Sequence, residues 1–391
     1  MQLSLKPLAL VASLLFTTSA YSGIDCISEN WLTKSDKSFA EDCAAMAFDQ
    51  NIEDRQTFAW MIFARVNQLI KDPDNGGVSG SNKVPVWMAW PTDPETFGTT
   101  TPFVFAKTPR SELMPSVEKK DIMAGHLTTA FPDDANEEVT RNSISYNYLT
   151  ENGLTTKDGV ALFFAANKYV DMPVGSIELK SSWLRVTTGS PAPDGALTFR
   201  FDSGLYWWRG LHIMAKMRTL PDQTDAFYTE DSSWFWTTFE FNNGNGVAHV
   251  RDTLTTQRYP LDKAKIATIL ATGNVGGFGF EAYSPNGTQI GFTVGGTGKV
   301  PVILGNTTME ASAGSPNMAQ PQYWKQFESS CHSCHSTASY NPETKEFFPM
   351  SFPIGALHPG YNKKNNAEVT KYLGNGYQTL DFMWPIVFNA K

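Results

Sequence analysis

The sequence predicts an α+β fold with N-terminal helices, a central antiparallel β-rich sheet or sandwich, and a C-terminal irregular or helical segment. Three observations predict it. Near the start, apolar residues recur at helical spacing. In the centre, segments rich in aromatic and branched side chains alternate with turn formers. After about residue 319 the helical signal is weak and Gly/Pro turns such as Phe352-Pro353-Ile354-Gly355 take over. At 391 residues the chain is long enough for two packed domains. An apolar content of 41%, with 26 Phe, 13 Tyr and 11 Trp, supplies the large side chains that such cores bury.

The elements follow in order. Residues 1–20 place Lys6 before an apolar stretch, Pro7 to Phe16, and then small residues ending at Thr18-Ser19-Ala20. This reads as a secretory signal peptide cleaved near Ala20, too short in its apolar part for a permanent span. The reading implies export to the periplasm, with secretion as the alternative. Residues 21–170 form a helical and loop region. Ser38 to Asp49 and Asp54 to Lys71 are predicted helices, the second carrying Phe58, Met61, Ile62, Val66, Leu69 and Ile70 on one face, with Asp54 or Asn51 as its cap. From Val84 to Arg141 the pattern is irregular and predicts ordered loops. Residues 171–318 are the β-rich domain. Its predicted strands are Ile177 to Trp183, Ala196 to Asp202, Leu205 to Lys216, Ser233 to Phe241, Gly277 to Tyr283 and Gln289 to Val294. Turn formers between them favour antiparallel pairing over alternation with helices. Residues 319–391 form the last segment.

The formal net charge of −8 and the lack of any long basic run argue against nucleic acid as a partner. Four cysteines fall into two pairs. Export makes a disulfide between Cys26 and Cys43 chemically available, and two buried thiols are the other reading.

The second pair carries the chemistry. Cys331-His332-Ser333-Cys334-His335 has the C-x-x-C-H spacing of c-type haem attachment. Two thiols three residues apart reach the two vinyl groups of one haem edge, and the adjacent histidine then lies under the iron. Cys331 and Cys334 are thus the expected attachment points of one covalent haem c, and His335 its proximal iron ligand. His332 is expected to point outward. A redox-active dithiol or half of a zinc site shares the spacing, but no strand–helix–strand pattern flanks the motif and no second Cys/His pair accompanies it.

The sixth ligand decides what such an iron does, because two strong ligands suit electron transfer and an open position admits small molecules. The candidates are Met383, Met350, His358 and His212. His212 lies in a predicted strand and would project from the central domain. Glu240, among Trp234, Trp236, Phe239 and Phe241, is a candidate proton donor paired with His212 on the sheet face, and Arg209 is a candidate assistant.

Five stretches together resemble a group of exported bacterial proteins with one C-terminal c-type haem motif. They are Gln56-Thr57-Phe58-Ala59-Trp60, Ile177-Glu178-Leu179-Lys180, Gly210-Leu211-His212-Ile213, Trp236-Thr237-Thr238-Phe239-Glu240, and the C-x-x-C-H motif with Asp381-Phe382 after it. The resemblance implies a cytochrome and names no substrate. The expected function is a periplasmic monohaem cytochrome serving electron transfer with a redox partner protein. The alternatives are a haem oxidoreductase with an open distal site, and a β-rich ligand-binding or sensor protein with a structural haem.

Overall fold

Helix α1, Asp36–Ala47, and helix α2, Ile52–Val66, lie close to their predicted spans. The structure is a computed structural model that describes residues 26–27, 30–49, 51–71, 82–99, 101–105, 109, 111–112, 135–219, 233–241, 261–290, 304–306, 309, 331–336, 338–347 and 376–390. The signal segment, and with it the predicted cleavage, lies outside the described residues. A disulfide joins Cys26 to Cys43 of α1, which resolves the choice left open above. The Asn51 side chain caps α2 by accepting from the Glu53 N–H at 3.1 Å. Helix α2 stops five residues before the predicted end. Asn67 closes it, donating to the Phe63 carbonyl at 2.9 Å and accepting from Trp87 Nε1 at 3.0 Å. The chain then leaves as strand β1, Leu69–Lys71, paired with β2, Lys83–Pro85. Leu69 and Ile70 still pack on the core from the strand, so their spacing imitated one more helical turn.

The body of the protein is a six-stranded antiparallel sheet. It contains β3, Ala135–Arg141, β4, Ile177–Arg185, β5, Thr198–Phe201, β6, Gly204–Lys216, β7, Trp234–Phe241, and β8, Tyr283–Gln289. The strand order is β3-β4-β6-β7-β8, with β5 paired to β6. The predicted strand from Gly277 to Tyr283 is not one. Gly277 and Gly279 have φ of 78° and 92°, and Phe280–Ala282 is a single 3-10 turn, so the strand begins at Tyr283. Strand β8 ends at Gln289, and 291–294 of the next predicted strand lie outside the described residues.

Each face of the sheet buries a different layer. Strand β7 makes the division plain, because successive side chains point to opposite faces. Phe235 and Phe239 meet α2, where Phe235 lies edge-on to Phe58 at 4.7 Å and Phe239 stacks on Phe63 at 4.0 Å. Trp234 and Trp236 point the other way, into a second core. That core takes residues from α4, Ser143–Glu151, α5, Lys157–Ala165, and the C-terminal segment. Helix α6, Lys263–Thr272, packs with α2 on the first face.

An ion network locks the sheet edge. Buried Arg141 of β3 pairs with Asp93 of α3, Asp93–Phe97, and its Nε meets Glu178 Oε1 of β4 at 3.1 Å. Ser145 of α4 donates to the same Glu178 oxygen at 2.8 Å. Burial alone would lower the Arg141 pKa, and the two carboxylates outweigh it and hold the guanidinium charged. Among the described residues, no helix is long and apolar enough to cross a membrane.

Candidate functional site

The C-x-x-C-H motif forms a short helix, α7, Cys331–Ser336, laid on the second face of the sheet. Positions 331 and 334 fall on one face of a single helical turn, the arrangement that the spacing predicts. The side chain of Cys334 lies outside the described residues, and Cys331 is partly buried with its sulfur 3.5 Å from the Leu304 carbonyl. The sheet supplies the helix's first contact. The His332 N–H, an orphan donor of the first turn, goes to Gln289 Oε1 at the end of β8 at 3.0 Å.

His335 is held from two sides. Its ring packs on Trp236 of β7 at 4.7 Å between centroids, tilted by 57°. Its Nδ1 lies 2.9 Å from the Phe382 carbonyl oxygen. A carbonyl can only accept, so Nδ1 carries the proton and the lone pair belongs to Nε2. This is the tautomer and the outer contact that a metal-ligating imidazole requires, because the bond at the far nitrogen fixes the ring and makes the ligating nitrogen more basic.

The carbonyl is presented by a tight turn. Beyond α7 the chain forms β9, Ser339–Asn341, which pairs with β10, Glu346–Phe347, on one side and with β11, Gln378–Thr379, on the other. The pairing brings Leu380 N to the Ala338 carbonyl at 2.9 Å, directly behind the motif helix. Residues Leu380 to Met383 then turn back, with Met383 N bonded to Leu380 O at 3.0 Å, and helix α8, Trp384–Asn389, follows. Asp381 and Phe382, the two central residues, have φ of 49° and 69°. Positive φ at both centres is the mark of a type I′ turn, which ordinarily takes Asn-Gly.

Asp381 is buried, and its side-chain oxygens accept three hydrogen bonds. Lys216 Nζ of β6 lies at 2.7 Å, Trp234 Nε1 of β7 at 2.9 Å and the Met172 N–H at 2.7 Å. Lys216 also meets Asp171 at 3.0 Å. Burial pushes the Asp381 carboxyl up, further than the Lys216 ammonium and the hydrogen bonds from Lys216 and Trp234 bring it back. Its three partners are all donors, which suits the acceptor capacity of a carboxyl oxygen pair.

The other predicted residues divide clearly. His332 points inward, fully buried beside Phe382 at 4.7 Å and Trp236 at 6.5 Å, and not outward as expected, because α7 lies flat on the sheet. Burial first, and the neighbouring His335 second, push its pKa down to about 3. Met383 is buried next to the carbonyl that takes His335 Nδ1. Its side chain lies in the second core. Met350 and His358 lie outside the described residues.

His212 faces Thr238 across the β6/β7 pair, and Glu240 faces Gly210. The two are diagonal neighbours on the same sheet face as Trp236. Arg209 has no counterpart in β4, because the register slips between Ser182/Gly210 and Trp183/Trp208, so it is the bulged residue of β6. Burial lowers its pKa, with Glu137 and Glu240 opposing. Gly210 is required there, since an added Cβ would sit 2.5 Å from the Phe239 oxygen and 2.8 Å from Asn306 Nδ2. Asn306, held by Thr238 Oγ1 and the Phe239 carbonyl at 3.1 Å each, carries the 304–306 segment from this rung to Cys331.

Sequence reasoning missed the Phe382 carbonyl, Lys216 and Asp381 as parts of the site. A backbone carbonyl leaves no trace in residue identities. Asp381 did leave one, as a lone acid in the apolar run Leu380-Asp381-Phe382-Met383-Trp384. No family model, curated protein or solved structure matches the chain.

Proposed function

We propose that this chain is an exported monohaem c-type cytochrome that transfers electrons, with haem c on Cys331 and Cys334 and His335 as proximal ligand. The observation that carries the reading is the bond from His335 Nδ1 to the Phe382 carbonyl within a C-x-x-C-H helix. It orients a neutral imidazole for ligation before any iron is considered. The bound group would supply a one-electron iron couple. The chain's own part is to hold the ring against Trp236 and to pack the motif into an apolar core. The Cys26–Cys43 disulfide supports an oxidising compartment such as the periplasm, and the acidic net charge fits a redox partner protein with a basic docking face.

The test is haem staining on a denaturing gel, with a reduced-minus-oxidised spectrum, of the full chain exported in a host that attaches c-type haem. Stain that survives denaturation and disappears with Cys331→Ala is the expected result. Unstained wild-type protein from a competent host would refute the reading.

A second reading, a haem oxidoreductase, draws on one observation. Buried Glu240, His212 and bulged Arg209 lie along the same sheet face as Trp236. Glu240 and His212 would then serve proton transfer to a small substrate. Cyanide and peroxide separate the two: an electron carrier keeps its spectrum at moderate concentrations of either, and an open-site enzyme changes at once.

A further inference from the structure

We propose that Asp381 is the positioning residue for His335: anchored to the sheet by Lys216 and Trp234, it aims the Phe382 carbonyl at His335 Nδ1. The inference rests on the reading of His335 as an iron ligand and adds to it a part of the chain that sets the ligand's strength.

Aspartate tolerates positive φ, but a phenylalanine there is a conformational outlier that persists only where its surroundings impose it. Here the Leu380–Met383 turn places Phe382 at φ 69°. What imposes it is the residue before. The Asp381 carboxylate takes Lys216 Nζ, Trp234 Nε1 and the Met172 N–H at 2.7, 2.9 and 2.7 Å, and its own N–H goes to Thr379 Oγ1 at 3.1 Å. Lys216 and Trp234 are direct cross-strand partners in the β6/β7 ladder. The next outward residue of β7 on that face is Trp236, the platform under the His335 ring. One pair of strands therefore holds both the ring and the acceptor of its proton. Their separation is set by the sheet and not by the short motif helix. A firmer acceptor at Nδ1 makes Nε2 a stronger donor to iron and favours the oxidised metal.

A plain buried ion pair would share this geometry, so the test uses substitutions that separate charge from position. The His335 Nδ1–H is followed by nitrogen-15-edited NMR of the full chain, and the midpoint potential by redox titration. The variants are Trp234→Phe, Lys216→Met and Asp381→Asn. Positioning predicts that Trp234→Phe, which changes no charge, speeds exchange of the Nδ1 proton with water about tenfold, the ratio that one hydrogen bond carries. It also predicts a raised potential in Trp234→Phe and Lys216→Met alike. Charge alone predicts no change in Trp234→Phe and a lowered potential in Lys216→Met, where a cation is removed. That pattern, or an Nδ1 proton that exchanges at the wild-type rate in Trp234→Phe, overturns the proposal. Should Asp381→Asn or Lys216→Met fail to fold, Trp234→Phe still decides it. Unstained wild-type chain would remove the haem reading, while proton exchange at His335 in that chain would still decide whether Asp381 positions the ring.

Discussion

His332 gives the motif helix a pH dependence of its own. It is fully buried between Phe382 and Trp236, and its pKa falls from an ordinary 6.5 to about 3. Between those values the unfolded chain binds a proton that the folded chain refuses. Stability is therefore complete above about pH 6.5 and declines as the pH falls toward 3. Urea midpoints measured across this interval are expected to drop by an amount equivalent to a few kcal/mol, and a His332→Phe variant is expected to flatten the drop. An equally steep profile in the variant would assign the loss to other groups. The same inward placement explains why this side chain was misread. C-x-x-C-H spacing says where the cysteines and the last histidine go, and it says nothing about which surface the helix lies on.

Long elements buried by many apolar side chains were legible, and short ones, or those whose burial depends on paired charges, were not. Helix α2 and strand β7 declare themselves through Phe58, Trp60 and Phe63 and through the run Trp234 to Phe241. Strand β3, Ala-Asn-Glu-Glu-Val-Thr-Arg, reads as a polar loop. Yet Glu138 and Arg141 within it are wholly buried, the arginine because Asp93 and Glu178 neutralise it. Helices α4, α5 and α6 were missed for a related reason: they are short and bury only part of one face, so their periodicity is brief. The charge network makes a direct prediction. Arg141→Met leaves two carboxylates buried without their cation and is expected to cost about 3–5 kcal/mol. Equilibrium urea unfolding measures it. A loss below about 1 kcal/mol would mean that the edge is held by its ladder of backbone bonds alone.

At the scale of the whole molecule, one sheet serves two cores. Trp234 and Trp236 belong to the motif side, and Phe235 and Phe239 to the helical side. The proposed haem bears on only one of them. Hydrogen exchange followed by mass spectrometry on a Cys331→Ala, Cys334→Ala protein is expected to show lost protection in α4, α5, β9, β11 and α8. Helix α2 and its disulfide-tied neighbour α1 should keep theirs. Equal loss on both sides would show that the faces unfold as one unit. The three sequence regions meet here as well, since β3 comes from the first and Asp381 of the last grips the second. That grip has a consequence for the order of events in the life of the chain. His335 and the carbonyl that clamps it are 47 residues apart, and the clamp closes only after the later stretch has been made and has folded back. Until then the motif lacks that clamp, and on the proposed reading an attachment enzyme would reach it at that stage. Afterwards it is pressed on the sheet with His332 sealed beneath it. On the proposed haem reading, loading would have to precede the docking of the last stretch, and a chain that closed early would shut the haem out.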